Sequence, residues 1–191
     1  MNMTDGQRAI ALLWADDPGE TATPPGHWTY IMNYISLHEE MPLDKAAEMY
    51  ALVGIGIADA FISAWDSKYR VNLVRPETYI QEFMGYPEWE SLVETPPFPE
   101  YPSGHSVVSA AAATLLTDLL GENHAFTDST HLLIGLSPRS YSSFWEAAEE
   151  ASYSRLYGGV HYRFSLDKGR EQGICIAQNV MEKVVLRKSG S

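Results

Sequence analysis

The chain has 191 residues, of which 45% are hydrophobic, 12% aromatic and 20% charged, a composition ordinary for a soluble protein with one globular core and far from that of disorder-prone chains. Thirteen Lys and Arg against 25 Asp and Glu leave a formal net charge of −12. That balance excludes a broad nucleic-acid-binding face, which needs clustered cations, so any anion site has to be built locally.

A single cysteine, Cys175, excludes an internal disulfide framework and a multi-cysteine metal centre, and within the apolar run GICIAQNVM it reads as core. There is no uninterrupted run of about 18 apolar residues, and the opening MNMTDGQRAIALLWADDPGE makes a poor signal peptide. A soluble chain without a membrane span is therefore expected.

In chain order, a proline-rich connector is expected over 16–28, followed by a helix over 44–66. There Met49, Leu52, Val53, Ile57, Phe61 and Ala64 recur at helical spacing on a segment apolar nearly all round. A second proline-rich connector covers 94–104. The next helix, over 106–120, carries the stripe Val108, Ala111, Ala112, Leu115, Leu116, Leu119 and Leu120, with Gly121 as its stop. Its small residues Ala110, Ala111, Ala112 and Ala113 permit close helix packing. Further helices are expected over 142–155 and 166–186, separated by Gly158 and Gly159. No strand pair, internal repeat or long linker is evident, so the expected fold is all-α, a compact helical bundle forming a single domain over 1–191.

Three patches carry groups suited to a tetrahedral oxyanion. KYRVNLVRP holds Lys68 and Arg75, with Pro76 stopping the helix before it. PSGH holds Ser103, Gly104 and His105 at the start of a helix, where unpaired N–H groups and the helix dipole favour an anion. SRLYGGVHYRFSLDKG holds Ser154, Arg155 and His161. A buried polyanion needs cationic partners, and Lys68, Arg75 and Arg155 supply them at roughly 1.5–3 kcal/mol per charge-assisted bond. Two histidines titrating near neutrality can divide nucleophilic or ligating work from proton transfer. Each patch alone has a plainer explanation: Ser103 as an N-cap, the cations as solvated side chains, the histidines as hydrogen-bonded core residues.

Together the three patches resemble the signature shared by type 2 phosphatidic acid phosphatases, bacterial class A acid phosphatases and vanadium-dependent haloperoxidases. Its elements are Lys68, Arg75-Pro76, Pro102-Ser103-Gly104-His105, Ser154-Arg155 and His161, and the resemblance spans 59–173. It implies a helical bundle with the anion cradled by Lys68, Arg75, Ser103, Gly104 and Arg155. In a phosphatase the resemblance implies that His161 attacks phosphorus, His105 protonates the leaving group, and no cofactor is needed. In a haloperoxidase it implies that His161 fixes the vanadium of vanadate and His105 acts as acid or base while hydrogen peroxide oxidises a halide.

The segments around the signature look more like the haloperoxidase branch, with Trp65 and Phe98 where chloroperoxidase-like members carry aromatic pocket residues. The expected activity is therefore haloperoxidase-like, with soluble acid phosphatase as the alternative and an inactive phosphate- or vanadate-binding domain as the third. Partners are a small anion and a small-molecule substrate. The family usually places Asp four residues after the last histidine, where this chain has Ser165, with Asp167 two positions on. These two, or Asp59 on the cationic cluster, are the expected supports.

The chain resembles only the C-terminal, site-bearing part of such enzymes. A homo-oligomer or a missing N-terminal half is expected to cover the remaining core face. His124 and His131 fall in a polar loop without a recognised pattern, and Glu146, Glu149 and Glu150 read as a solvated helix face.

Overall fold

The chain enters its fold through helix α1 (Asp5–Leu13), started by a capping box in which Thr4 and Gln7 satisfy each other's backbone N–H. The computed structural model describes residues 3–17, 19, 21 and 23–186. The expected connector over 16–28 is cut short by α2 (Thr23–His38), whose first turn takes Pro24 and Pro25, positions where a missing N–H costs nothing. Helix α2 buries His27, Trp28, Ile31, Met32 and Ile35.

Helix α3 (Leu43–Val71) runs past the expected end at 66, and the extension carries Lys68 into the interior. It stops at Asn72, which is left-handed with φ 52°. Pro76 ends nothing further: it is the first residue of a short helix, α4 (Pro76–Phe83). Helix α5 (Gly104–Leu120) is capped by Ser103 and buried on almost every side, as are few helices of a single layer. An antiparallel pair, β1 (Phe126–Asp128) and β2 (Arg139–Tyr141), sets Phe126 opposite Tyr141 and Asp128 opposite Arg139. This corrects the expectation of no strand pair, since three-residue strands are too short to show alternation. Helices α6 (Phe144–Tyr157) and α7 (Arg163–Lys183) complete an otherwise all-α architecture.

Helix α5 is the axis of the molecule, packed by α3, α6 and α7. Its alanines matter at the α7 crossing. A Cβ on Gly173 would collide with the Val107 carbonyl oxygen and lie 2.8 Å from Ala110 Cβ, and one on Gly169 would lie 2.9 Å from the Ser103 carbonyl oxygen. Only glycine lets α7 approach this closely, and that approach sets the first turns of α7 beside the first turn of α5.

Three surface expectations change. Cys175 is exposed on α7. Asp59 lies on the exposed side of α3, away from the buried Lys68. Glu149 is exposed, but Glu150 accepts hydrogen bonds from Trp14, Tyr141 and Arg139 and ties α6 to α1 and β2. By length and composition alone, 43–83 also contains an 18-residue window of mean hydropathy 1.4, a third of it buried. Its inner flank is core, while Ile55 and Ile62 are exposed.

Candidate functional site

Lys68 comes from the last turns of α3, Arg75 from the N-cap of α4, His105 from the first turn of α5, Arg155 from the end of α6, and His161 from the turn before α7. Five chain segments thus deliver three cations and two imidazoles to one buried place. Lys68 is fully buried, and Arg75, Arg155 and His161 are each at most 5% exposed.

The cations are held by backbone oxygens rather than by carboxylates. Lys68 Nζ donates to the carbonyls of Pro99 (3.0 Å), Glu100 (2.9 Å) and Pro102 (2.6 Å), which uses all three of its donors. Arg75 donates to the carbonyls of Phe98 and Val160 and, through Nη1, to His161 Nε2 at 3.2 Å. Arg155 Nη1 donates to Trp14 and Ala15, while its Nε is buried without a hydrogen-bond partner. Proline supplies part of this design: Pro99 and Pro102 present carbonyls to Lys68 and carry no N–H, while the N–H groups of Phe98 and Glu100 are taken by the Pro96 and Leu73 carbonyls.

Buried cations packed together destabilise one another's charge, and the nearby carboxylates Glu100 and Asp16 offset only part of this. Burial, and next the neighbouring Arg75, push the Lys68 ammonium down to about 7. Burial likewise lowers Arg75 and Arg155 to about 10. His161 is held well below its ordinary value by burial and then by Arg75, Lys68 and Arg155, so its ring is neutral.

Glu100 decides which nitrogen of His161 keeps its lone pair. It is completely buried. Its Oε1 lies 2.7 Å from His161 Nδ1 and accepts the Tyr162 N–H at 2.9 Å, while Oε2 accepts the Ser165 hydroxyl at 2.7 Å. A neutral ring that donates from Nδ1 has its lone pair on Nε2, facing Arg75. Ser165 therefore supports His161 through Glu100. Asp167 does not: it is exposed and lines a separate cleft with Trp145, Glu149 and Arg170.

At the head of α5, Ser103 Oγ caps the Ser106 N–H at 3.3 Å and the Ser103 carbonyl takes the Val107 N–H at 3.1 Å. The Gly104 and His105 N–H groups stay outside the helical ladder, and the Ser103 hydroxyl proton is still available to donate. A Cβ on Gly104 would come within 3.4 Å of Trp65 and 4.0 Å of Lys68 Cε. Trp65 and Phe98 form the aromatic wall, their rings 4.9 Å apart, with Lys68 Nζ 5.7 Å and 5.2 Å from their centroids. Of the residues singled out from the three sequence patches, Lys68, Arg75, Ser103, Gly104, His105, Arg155, His161 and Ser165 gather here, whereas Asp167 does not and the Ser154 hydroxyl turns back to the Ala151 carbonyl.

His105 is tied to residues that sequence reasoning passed over. Its Nε2 lies 3.2 Å from Asp16 Oδ2, and Asp16 Oδ1 in turn meets His27 Nδ1 at 2.8 Å and His131 Nε2 at 3.3 Å. Burial, with Arg155 next, lowers His105 to about 4. His131, expected in a plain polar loop, is buried. An acid in DDPGE carries no local signal of this role, whereas an acid inside the proline-rich PPFPEYPSGH could have been flagged as a buried partner for nearby cations.

The donor set fits a tetrahedral oxyanion: excess buried positive charge, an unpartnered Arg155 Nε, free first-turn N–H groups and one imidazole lone pair. Known proteins resemble this chain in sequence and in fold. The vanadium chloroperoxidase of Curvularia inaequalis is 24% identical over 225 aligned residues, covering 86% of this chain and 37% of that one. Among solved structures, that of the first bacterial vanadium-dependent iodoperoxidase is 40% identical with a TM-score of 0.93, covering 98% of this chain and 46% of that one. The holo form of a bacterial vanadium-dependent chloroperoxidase superposes with a TM-score of 0.77 at 20% identity, covering 95% and 44%, a likeness of fold. The chain spans less than half the length of each of these relatives. Residues 48–188 match the family model described as the VCPO second helical-bundle domain, and the chain belongs to that family.

Proposed function

We propose that this chain carries the site of a vanadate-dependent haloperoxidase, with iodide as its halide. The observation that supports it most is the neutral His161, whose Nε2 lone pair is fixed by Glu100 on Nδ1 within a cluster of three buried cations. Iodide is the halide named for the solved relative at 40% identity.

Vanadate fits the donor set. Its vanadium would be held by His161 Nε2 and its oxygens by Arg75, Ser103, the Gly104 N–H and Arg155, with the Lys68 ammonium beside them as charge. When bound, it supplies an electrophilic centre at which hydrogen peroxide is activated for two-electron oxidation of halide.

The chain's own residues do the rest. Arg155 offers its unpartnered Nε–H to the oxyanion, Lys68 with its three donors and Arg75 with most of its own already committed add charge, and the partial positive end of α5 adds to them. His105, neutral and buried, moves protons to and from peroxide. Trp65 and Phe98 exclude water from the halide's approach.

The same cradle would suit phosphoryl transfer through His161, so two assays decide. Iodide oxidation by hydrogen peroxide is measured with and without orthovanadate, and aryl-phosphate hydrolysis is measured without it. Oxidation that requires vanadate is the expected result. Hydrolysis inhibited by vanadate, with no oxidation, overturns the assignment in favour of an acid phosphatase, and binding without either activity leaves an inactive anion-binding domain.

A further inference from the structure

Asp16, His27, Asp128 and His131 form a second buried cluster beside the anion site, and three of them lie on segments with no place in the chemistry above. Asp16 follows α1, His27 is in the first turns of α2, Asp128 ends β1, and His131 opens a 3₁₀ turn (Leu132–Ile134). Asp16 and His27 fall outside 48–188, the residues matched by the family model.

The hydrogen bonds fix the protons. His27 Nδ1 faces Asp16 Oδ1 and His27 Nε2 faces Asp128 Oδ2, both at 2.8 Å. A carboxylate only accepts, so both ring nitrogens carry hydrogen and His27 is an imidazolium between two anions. The pull of Asp128 and Asp16 outweighs burial and raises His27 to about 9, while hydrogen bonds from His105, His131 and His27 outweigh burial and keep Asp16 well below the usual carboxylate range. Trp14 stacks on the His27 ring at 4.2 Å, and Asp128 is itself fixed by the N–H and hydroxyl of Thr130.

Asp16 sits in the left-handed region, φ 54°, a conformation that persists only where the surroundings impose it. There it aims Oδ2 at His105 Nε2, 3.2 Å away, while the two carbonyls before it, Trp14 and Ala15, receive Arg155. His105 must then carry its proton on Nε2, leaving the Nδ1 lone pair as its proton acceptor.

We propose that His27, clamped between Asp16 and Asp128, is a positioning residue that fixes the Asp16 carboxylate and, through it, the Nε2–H tautomer of His105. The clamp joins the loop after α1 to the β1 segment, so two elements remote from α5 set the state of its first-turn histidine. The kinetic consequence rests on the proposed role of His105 in proton transfer; the tautomer does not.

The test is ¹⁵N-detected histidine NMR of the full chain, with steady-state kinetics of the vanadate-loaded protein. In the unmodified chain His27 is expected doubly protonated and His105 neutral with hydrogen on Nε2. In His27→Gln and Asp128→Asn, His105 is expected to populate both tautomers, with kcat for iodide oxidation falling roughly tenfold while KM for iodide changes less than about twofold.

A His105 proton on Nδ1 in the unmodified chain, or an unchanged tautomer in both variants, overturns the clamp. If neither variant folds, the unmodified spectrum still decides between these states. If zinc titration instead displaces a proton from His27 and fills a stoichiometric site on Asp16, His27 and His131, these residues are ligands and the clamp is wrong. Absence of iodide oxidation in the unmodified chain counts against the proposed function alone, and the NMR result then decides the clamp.

Discussion

Glu100 Oε1 stands 2.7 Å from His161 Nδ1, and neither group is in contact with bulk water. A loop carboxylate five positions ahead of one histidine thereby orients the other, while Ser165 anchors that carboxylate from the far side. Removing the charge should loosen His161 without removing any group from the anion's reach. Glu100→Gln is expected to weaken orthovanadate binding about 10–100-fold, the usual effect of losing a ligand's supporting partner. Ser165→Ala should act in the same direction but less, and Asp167→Ala not at all, as measured by calorimetric titration.

The Lys68 ammonium, pushed down to about 7 by burial and by Arg75, makes anion binding depend on pH. An anion prefers the protonated lysine, so binding should take up a proton and weaken as pH rises. Sulfate keeps its charge across this range and separates the protein's titration from the ligand's. Its affinity is expected to fall by up to about tenfold per pH unit above 7. Lys68→Met should bind sulfate weakly at every pH and lose the slope.

His27 makes the opposite kind of contribution, to stability. Its value is raised from 6.5 unfolded to about 9 folded, so the stabilisation is complete below 6.5 and is lost as pH rises through 9. The amount is on the order of 3 kcal/mol. Lys68, whose value is lowered on folding, gains stability over an overlapping range, so the difference between chains is the informative quantity. The gap in unfolding free energy between the unmodified chain and His27→Gln should be large at pH 6 and small at pH 10.

Helix α7 should report on packing. Gly173→Ala places a methyl against the Val107 carbonyl, Ala110 and the Ala111 backbone, none of which can rotate away. A loss of about 1–3 kcal/mol is expected in denaturant unfolding. Gly54→Ala, with nothing within 4 Å of the added carbon, should instead be stabilising by roughly 0.5–1 kcal/mol.

The clustering was legible because the residues lie in short patches of matching type: Lys68 and Arg75, Ser103 to His105, and Arg155 and His161 come together in one buried place. Helices α3 and α5 were legible from apolar period, since each buries a recurring stripe, whereas α2 was hidden by the prolines of its first turn. What the pattern hid was made by tertiary contact. Glu100 orients His161 across 61 positions, and Asp16 meets His105 across 89 and His131 across 115. No local periodicity records such pairs. Asp59 illustrates the converse, since an acid within an apolar stretch can sit on the helix's exposed side.

The central claim is that His161 Nε2 is the protein's bond to a tetrahedral oxyanion, and an orthovanadate titration of the unmodified chain and of His161→Ala tests it most directly. The expected result is one vanadate bound by the unmodified chain, and binding by the variant weakened by more than the about 10–100-fold that follows loss of a mere supporting partner. Equal affinity in the two chains would contradict the assignment.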